Sequence, residues 1–170
     1  MPAIVYFLLI FSISINVFAY ESENKLQAVI IGKVAKYIHW TTPEEETFTI
    51  TVLNNQFGSL FDEVYEGKRI KNRVVRVQYI HNIEELHTTD ILFISQADRY
   101  KIDEILEYLQ GKNILTVSNI RGFAQKGGCL QLSFFEQNLK LKMNTECMHK
   151  KGLKVNNALL RVVEIVKSER

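Results

Sequence analysis

The chain has 170 residues, 46% of them hydrophobic and 24% charged, with a formal net charge of +2. That length supports one domain around one core, and the interspersed acids and bases exclude both the basic stripe of a nucleic-acid binder and the polybasic cluster of an anionic-lipid binder. With two prolines, no low-complexity tract and no repeat at solenoid periods, the composition is that of a compact globular domain.

Met1 to Ala19, "MPAIVYFLLIFSISINVFA", carries no charged side chain and ends on a small residue, the pattern of a secretory signal peptide cut after Ala19. No Lys or Arg precedes the apolar run, so an uncleaved amino-terminal anchor is the competing reading. Either way residues 20–170 lie outside the cytoplasm, which removes most nucleotide-using chemistry.

From Glu23 to His39, Leu26, Val29, Ile30, Val34, Tyr37 and Ile38 recur at helical spacing and predict an amphipathic helix ending near Trp40. "FTITVLN" (Phe48 to Asn54) is β-branched and short, a buried strand. "GSLFDEVYEG" predicts a short helix stopped at Gly67, where a left-handed cap costs glycine nothing. "NRVVRVQYI" (Asn72 to Ile80) and "TDILFIS" (Thr89 to Ser95) are further strands. "DRYKIDEILEYLQ" opens on an Asp98 cap, puts Ile102, Ile105, Leu106 and Leu109 on one face and closes at Gly111. "NILTVS" is a fourth strand. Strands alternating with helices predict a largely parallel sheet with helices on both faces.

The last third breaks that alternation. In "CLQLSFFEQNLKLKMN", Leu130, Leu132 and Phe134 alternate with polar residues, as do Leu139, Leu141 and Met143, so two half-buried strands form an antiparallel hairpin at the sheet edge. Matching the apolar faces sets the even-numbered first strand against the odd-numbered second, which requires a two- or four-residue loop and puts Cys129 on the polar face near Asn144 or Glu146. Gly127 and Gly128 read as the turn into this hairpin. "TECMHKKGLKVNNALLRVVEIVK" predicts a short helix to Lys151, a break at Gly152 and a second helix through Lys167.

Cys129 and Cys147 are the only thiols, and the hairpin brings them close. They form either a disulfide or two separate cysteines, one on a strand and one packed on a helix. Their spacing is not that of a thioredoxin-type redox pair. His39, His81, His87 and His149 lack any helical ligand spacing and are read as turn or surface residues, so no metal is expected. Ser95, His87 and Asp90 make a nominal triad, but no nucleophile elbow presents Ser95. No glycine-rich phosphate loop is present, and no cofactor is expected. Among the aromatics, Tyr37, Phe61 and Phe134 follow the core periodicity. Phe123 in "RGFAQKGG" and Phe135 on the polar face fit it less well, and beside Arg121 they predict an exposed recognition patch, with Trp40 as a neighbour.

"AKYIHW", "GSLFDEVYEGKRIKNRVVRV", "DILFIS", "ILTVSNIRGFAQKGGCLQLSF" and "NLKLKMNTECMHKKGLKVNNALLRV" occur in the order found in YfiR-type periplasmic proteins, and from about Lys25 to Val166 the chain resembles that family. The resemblance implies a periplasmic α/β domain, often dimeric, without catalysis. The family's namesake represses a membrane-bound diguanylate cyclase by binding its periplasmic part, which lowers cyclic-di-GMP and biofilm formation; other relatives accompany sensor kinases or outer-membrane receptors. This chain departs from the common pattern at Cys129, where an apolar residue is usual, and at Asn156 and Asn157, where Ser is frequent.

Two functions are therefore carried forward. The first is a regulator, expected to be a homodimer, that docks on a membrane signalling protein, a diguanylate cyclase or sensor kinase, through Arg121, Phe123, Phe135 and Trp40. The second is a sensor of a small ligand held at the carboxyl ends of the parallel strands, near Asn54, Ser95 and Ser118. The absence of a nucleophile context argues against an enzyme.

Overall fold

The computed structural model describes residues 23–41, 45–135 and 138–169. The proposed signal peptide, residues 1–19, lies outside them. Fifteen elements follow in chain order: α1 (23–35), β1 (Ile38–Trp40), β2 (Thr47–Leu53), α2 (Leu60–Tyr65), β3 (Arg69–Ile70), β4 (Arg73–Ile80), β5 (Ile91–Ile94), α3 (Ile102–Tyr108), β6 (Leu115–Ser118), β7 (Leu130–Phe135), β8 (Asn138–Asn144), α4 (Thr145–Lys150), β9 (Leu153–Val155), α5 (Asn157–Leu160) and β10 (Glu164–Val166).

Eight strands make one sheet in the order β10-β8-β7-β6-β5-β2-β4-β3. β4, β2, β5, β6 and β7 run parallel, as the strand-helix alternation requires. One face packs α1 and α2 against Phe48, Ile50, Val52, Phe93, Val117 and Leu132. The other packs α3 and the loop after β6 against Leu53, Leu92 and Ile94. The largely parallel α/β sheet with an antiparallel hairpin is the predicted architecture, and the hairpin register is also as predicted: Leu130 faces Met143, Leu132 faces Leu141 and Phe134 faces Leu139.

Three local expectations are corrected. α1 stops at residue 35, and Ile38 to Trp40 form a strand pairing Leu153 to Val155, a contact between distant segments that local periodicity does not contain. Of the predicted stripe Val34 and Ile38 are buried, but Leu26 is 38% and Tyr37 47% exposed, and Asn24, Gln27, Ala28, Ile31 and Ala35 share the inward face instead. The predicted last helix is a strand, a four-residue helix and a strand. Asn156 restarts the chain there by accepting the Ala158 N–H at 2.8 Å, and β10 then joins β8 and takes the sheet edge from the hairpin. Finally, Asp98 does not cap α3. It is buried in a 3-10 turn, Gln96–Asp98, which Ser95 caps.

The Gly127-Gly128 turn has a steric explanation. Gly127 sits at φ 103, in the region that favours glycine, and a Cβ on Gly128 would fall 2.1 Å from the Phe123 ring. The loop folds back on itself, the Gly128 N–H donating to the Phe123 carbonyl at 3.0 Å, so the ring lies flat under the turn instead of outside it. One residue later Cys129, fully buried, opposes Asn144 and is disulfide-bonded to Cys147. Cys129 thus lies beside Asn144, as the register predicts, but it is covered by the loop and the disulfide.

Candidate functional site

In an open α/β sheet the carboxyl ends of the parallel strands flank the crevice where the strand order reverses, here around β2, which has β4 on one side and β5 on the other. The three predicted crevice residues do meet there. Asn54 leaves β2 at φ 46 and donates from Nδ2 to Asp98 Oδ1 at 2.6 Å. Ser95 Oγ donates to the Asn54 carbonyl at 3.3 Å and accepts the Ala97 N–H at the same distance. Ser118 Oγ donates to the Ile94 carbonyl at 2.7 Å and accepts the Ile120 N–H at 3.0 Å. Ser95 and Ser118 are buried and committed to backbone groups on both sides. These hydroxyls stitch adjacent loops together and present little to a solute.

A second polar chain runs beside them. Gln96 donates to the Asn119 carbonyl at 2.8 Å, Asn119 donates to Gln27 Oε1 at 3.0 Å, and Gln27 donates to Asn24 Oδ1 at 3.4 Å, tying the loops after β5 and β6 to α1. Asp98 is 3% exposed and its Oδ2 has no hydrogen-bond partner among the described residues. Burial raises its pKa, against the Asn54 hydrogen bond and the Lys101 charge, which lower it. Sequence reasoning missed this network because buried Asn and Gln interrupt the apolar period without announcing partners so distant in the chain.

Above that polar floor, the same end of the sheet exposes aromatic and guanidinium groups. Tyr100 is 84% exposed, with the Arg99 guanidinium 4.4 Å from its ring centroid and Nη2 donating to its hydroxyl at 3.0 Å. Arg121, in the loop after β6, is exposed and has no hydrogen bond or ion pair among the described residues. β7 pairs with β6 only as far as Gln131, opposite Ser118, and continues through four more residues to Phe135, so the hairpin rises about 13 Å beyond the floor. At its tip Phe135 is 60% exposed beneath the Lys140 ammonium. Arg121 and Phe135 thus share one end of the molecule with Tyr100, which the sequence reading had placed inside a helix. Its position off the Ile102, Ile105, Leu109 face was the available signal.

The other two predicted contact residues are elsewhere, and the exposure expected of them is corrected. Phe123 is 0% exposed under Gly128, and Trp40 is 5% exposed, edge-on to Phe48 at 5.5 Å on the amino-terminal side of the sheet. The nominal triad is also dispersed. Asp90 and Ser95 flank the four residues of β5 and lie about 16 Å apart, and Asp90 is held by Arg73 at 2.6 Å and by the Thr49 N–H at 2.8 Å.

Two clefts lie away from the carboxyl edge. One of about 620 Å³ separates α3 from α4, and its ammonium groups are occupied: Lys126 by Asp103 at 3.0 Å, Lys150 by Glu146 at 2.7 Å, and Lys151 by the Leu109 carbonyl at 2.7 Å. Burial, with the nearby Lys112 charge, lowers the Lys151 pKa to about 8. The other, about 680 Å³, opens at the amino ends of the strands beside Trp40, His87 and Asp90. Among the described residues no cluster of His, Cys, Asp and Glu could hold a metal, and no helix is long and apolar enough to cross a membrane.

A doubly covered, largely parallel sheet that carries aromatic and guanidinium groups at the carboxyl ends of its strands defines an open-sheet α/β domain. Solved structures share the fold. A substrate-binding protein with adhesive properties from Clostridium difficile, in its ligand-free open structure, is 11% identical with a TM-score of 0.54, over 73% of this chain and 56% of its own. The ABC domain from Streptococcus pneumonia in complex with L-Trp is 9% identical with a TM-score of 0.58, over 82% of this chain and 60% of its own. The chain therefore spans less than two thirds of either, and the likeness is one of fold. No curated protein matches it. The YfiR/HmsC-like family, DUF4154, matches residues 24–164, and the chain belongs to that family. The family is periplasmic, regulatory and non-catalytic, and is generally associated with membrane signalling proteins.

Proposed function

We propose that this protein is a periplasmic regulator that docks, through Tyr100, Arg121 and Phe135, on the outer domain of a membrane diguanylate cyclase and holds it inactive, lowering cyclic-di-GMP and biofilm formation. The observation that carries the reading is the grouping of exposed aromatic rings and guanidinium groups at one end of the sheet, where the Ser95 and Ser118 hydroxyls are already bonded to backbone groups. Rings and Arg side chains of this kind dominate binding energy at protein interfaces. Docking need only favour the inactive cyclase conformation to repress it. A sensor kinase in the cyclase's place would use the same surface, and a homodimer would present it twice.

The test is a repression assay in cells carrying Tyr100→Ala with Arg121→Glu. Both sites are exposed, so the domain should fold, with its thermal midpoint unchanged, while cyclic-di-GMP rises to the level of the null strain. Unaltered cyclic-di-GMP in a strain where the null raises it would remove this surface from the proposal.

The second reading, sensing of a small ligand, draws on the likeness to solute-binding folds, one of them seen with L-Trp. A ligand at 100 times its dissociation constant adds about 2.7 kcal/mol of stability. A thermal-shift series with L-Trp and other amino acids would detect that gain, and a flat series at millimolar ligand would retire the reading.

A further inference from the structure

The sheet is open on its β4 side. β3 pairs only with Arg73 and Val74, and the last bond covering β4 runs from the Val75 N–H to the Lys68 carbonyl at 3.0 Å. Along a strand, successive residues direct their backbone groups to opposite neighbours. The Ile80 carbonyl accepts the N–H of Asn54 just beyond β2, so even-numbered residues of β4 address β2 while Val75, Val77 and Tyr79 face outward. The N–H and C=O of Val77 and Tyr79 meet no partner among the described residues. The register against β2 is unbroken from Val74 to Ile80, and no proline or bulge closes the edge.

Beside the open edge, on the α2 face, runs a groove of about 340 Å³ floored by Val75 and Val77 and walled by Asp62, Glu63 and Glu66. The Tyr79 hydroxyl donates to Asp62 at 2.6 Å and fixes that wall to the edge strand. Three carboxylates stand here on a chain whose net charge is +2. That charge selects the occupant. A second copy pairing edge to edge about a two-fold axis would set the same three carboxylates against their own images. Residues 1–24 contain no Lys or Arg and offer no complement.

We infer that the uncovered half of β4 receives an extended segment of a partner protein by strand addition. Alternate side chains of that segment are Lys or Arg, with their stems on Val75 and Val77 and their charges against Asp62, Glu63 and Glu66. The intervening side chains are hydrogen-bonding residues beside Arg76 and Gln78. This surface is separate from the carboxyl-end docking face, and the inference stands without it.

The experiment titrates the purified protein with a short fluorescent peptide alternating Lys and Thr, at low salt, and follows amide hydrogen exchange. Three controls accompany it: a Glu-Thr peptide, a Lys-Thr peptide N-methylated at alternate residues in either phase, and the Glu63→Lys, Glu66→Lys variant. Saturable binding is expected, weakened about tenfold or more by the Glu-Thr sequence, by the Glu63→Lys, Glu66→Lys variant and by N-methylation in the one phase whose amides face β4, with exchange at Val77 and Tyr79 slowed about tenfold. The inference is overturned by no binding at peptide concentrations on the order of 1 mM, by binding of the Glu-Thr peptide or of both N-methylated phases equal to that of the parent peptide, or by protection that leaves Val77 and Tyr79 untouched. Protection of those amides in the protein alone, rising with its own concentration, would assign the edge to a second copy and overturn it too.

Discussion

Gly128→Ala tests the packing of the loop that leads into the hairpin. The added Cβ would lie 2.1 Å from Phe123 Cε1, where ordinary contact begins at 3.4 Å, so the ring must retreat by the difference, 1.3 Å. Phe123 is fully buried and packed in the cluster with Leu92, Ile94, Ile102 and Ile105, which leaves it no free direction. Overpacking of this kind costs about 1–3 kcal/mol. Against it stands a gain of about 0.4–1 kcal/mol from the lost freedom of the unfolded chain, since Gly128 does not require positive φ. At the midpoints of those two ranges the expected net loss is about 1.3 kcal/mol, read as a lower urea midpoint at unchanged slope. Phe123→Ala alone should cost about 3–5 kcal/mol. In that background the methyl enters vacated space, and the double variant should be more stable than the sum of the single effects by about 1–3 kcal/mol. A Gly128→Ala protein within 0.5 kcal/mol of the parent, roughly the additivity error, would refute the steric account, as would strict additivity with Phe123→Ala.

Other outcomes follow from the same structure. Replacing Cys129 and Cys147 by Ala removes a crosslink of sequence separation 18, and the chain-entropy estimate predicts a loss of about 3 kcal/mol in chemical denaturation; an unchanged midpoint would contradict it. Lys151 holds its proton to about pH 8 in the folded state and to near 10.5 unfolded, so between those values the unfolded chain binds more protons and stability rises with pH. Wild type should therefore gain on Lys151→Met from pH 7.5 to pH 10, and a gap that stays constant would mean the amine is not desolvated. For Asp98 the sign reverses. Its raised pKa means the folded state favours the protonated acid, so Asp98→Asn should be at least as stable as wild type at pH 7, with the parent gaining on it as pH falls; a large loss at pH 7 would show that the charge is needed.

How much of this was legible in the sequence depends on whether the signal was local. The β7-β8 register was readable because alternation on both strands admits one face match, and that register brought Cys129 to Asn144 and so within reach of Cys147. The α3 stripe of Ile102, Ile105 and Leu109 was readable for the same reason. β1 and β9 were not, because each has three residues and its partner is more than a hundred positions away. Phe123 was misjudged from its polar surroundings: the residue that buries it is Gly128, and a glycine makes room without adding a pattern of its own. At the site, topology places Asn54, Ser95 and Ser118 at one end of the sheet, but their hydroxyl and amide groups are spent on neighbouring loops, an allocation that depends on atomic positions.

The regulator account rests most directly on the carboxyl-end surface touching a membrane partner. A photo-crosslinking amino acid placed at Tyr100 or Arg121, and at Lys112 near the opposite end of the sheet as a control, can be activated in the intact envelope and the captured proteins identified by mass spectrometry. The account predicts capture of an inner-membrane cyclase from Tyr100 and Arg121 and none from Lys112. Capture of nothing but a second copy of this chain from all three positions would contradict it.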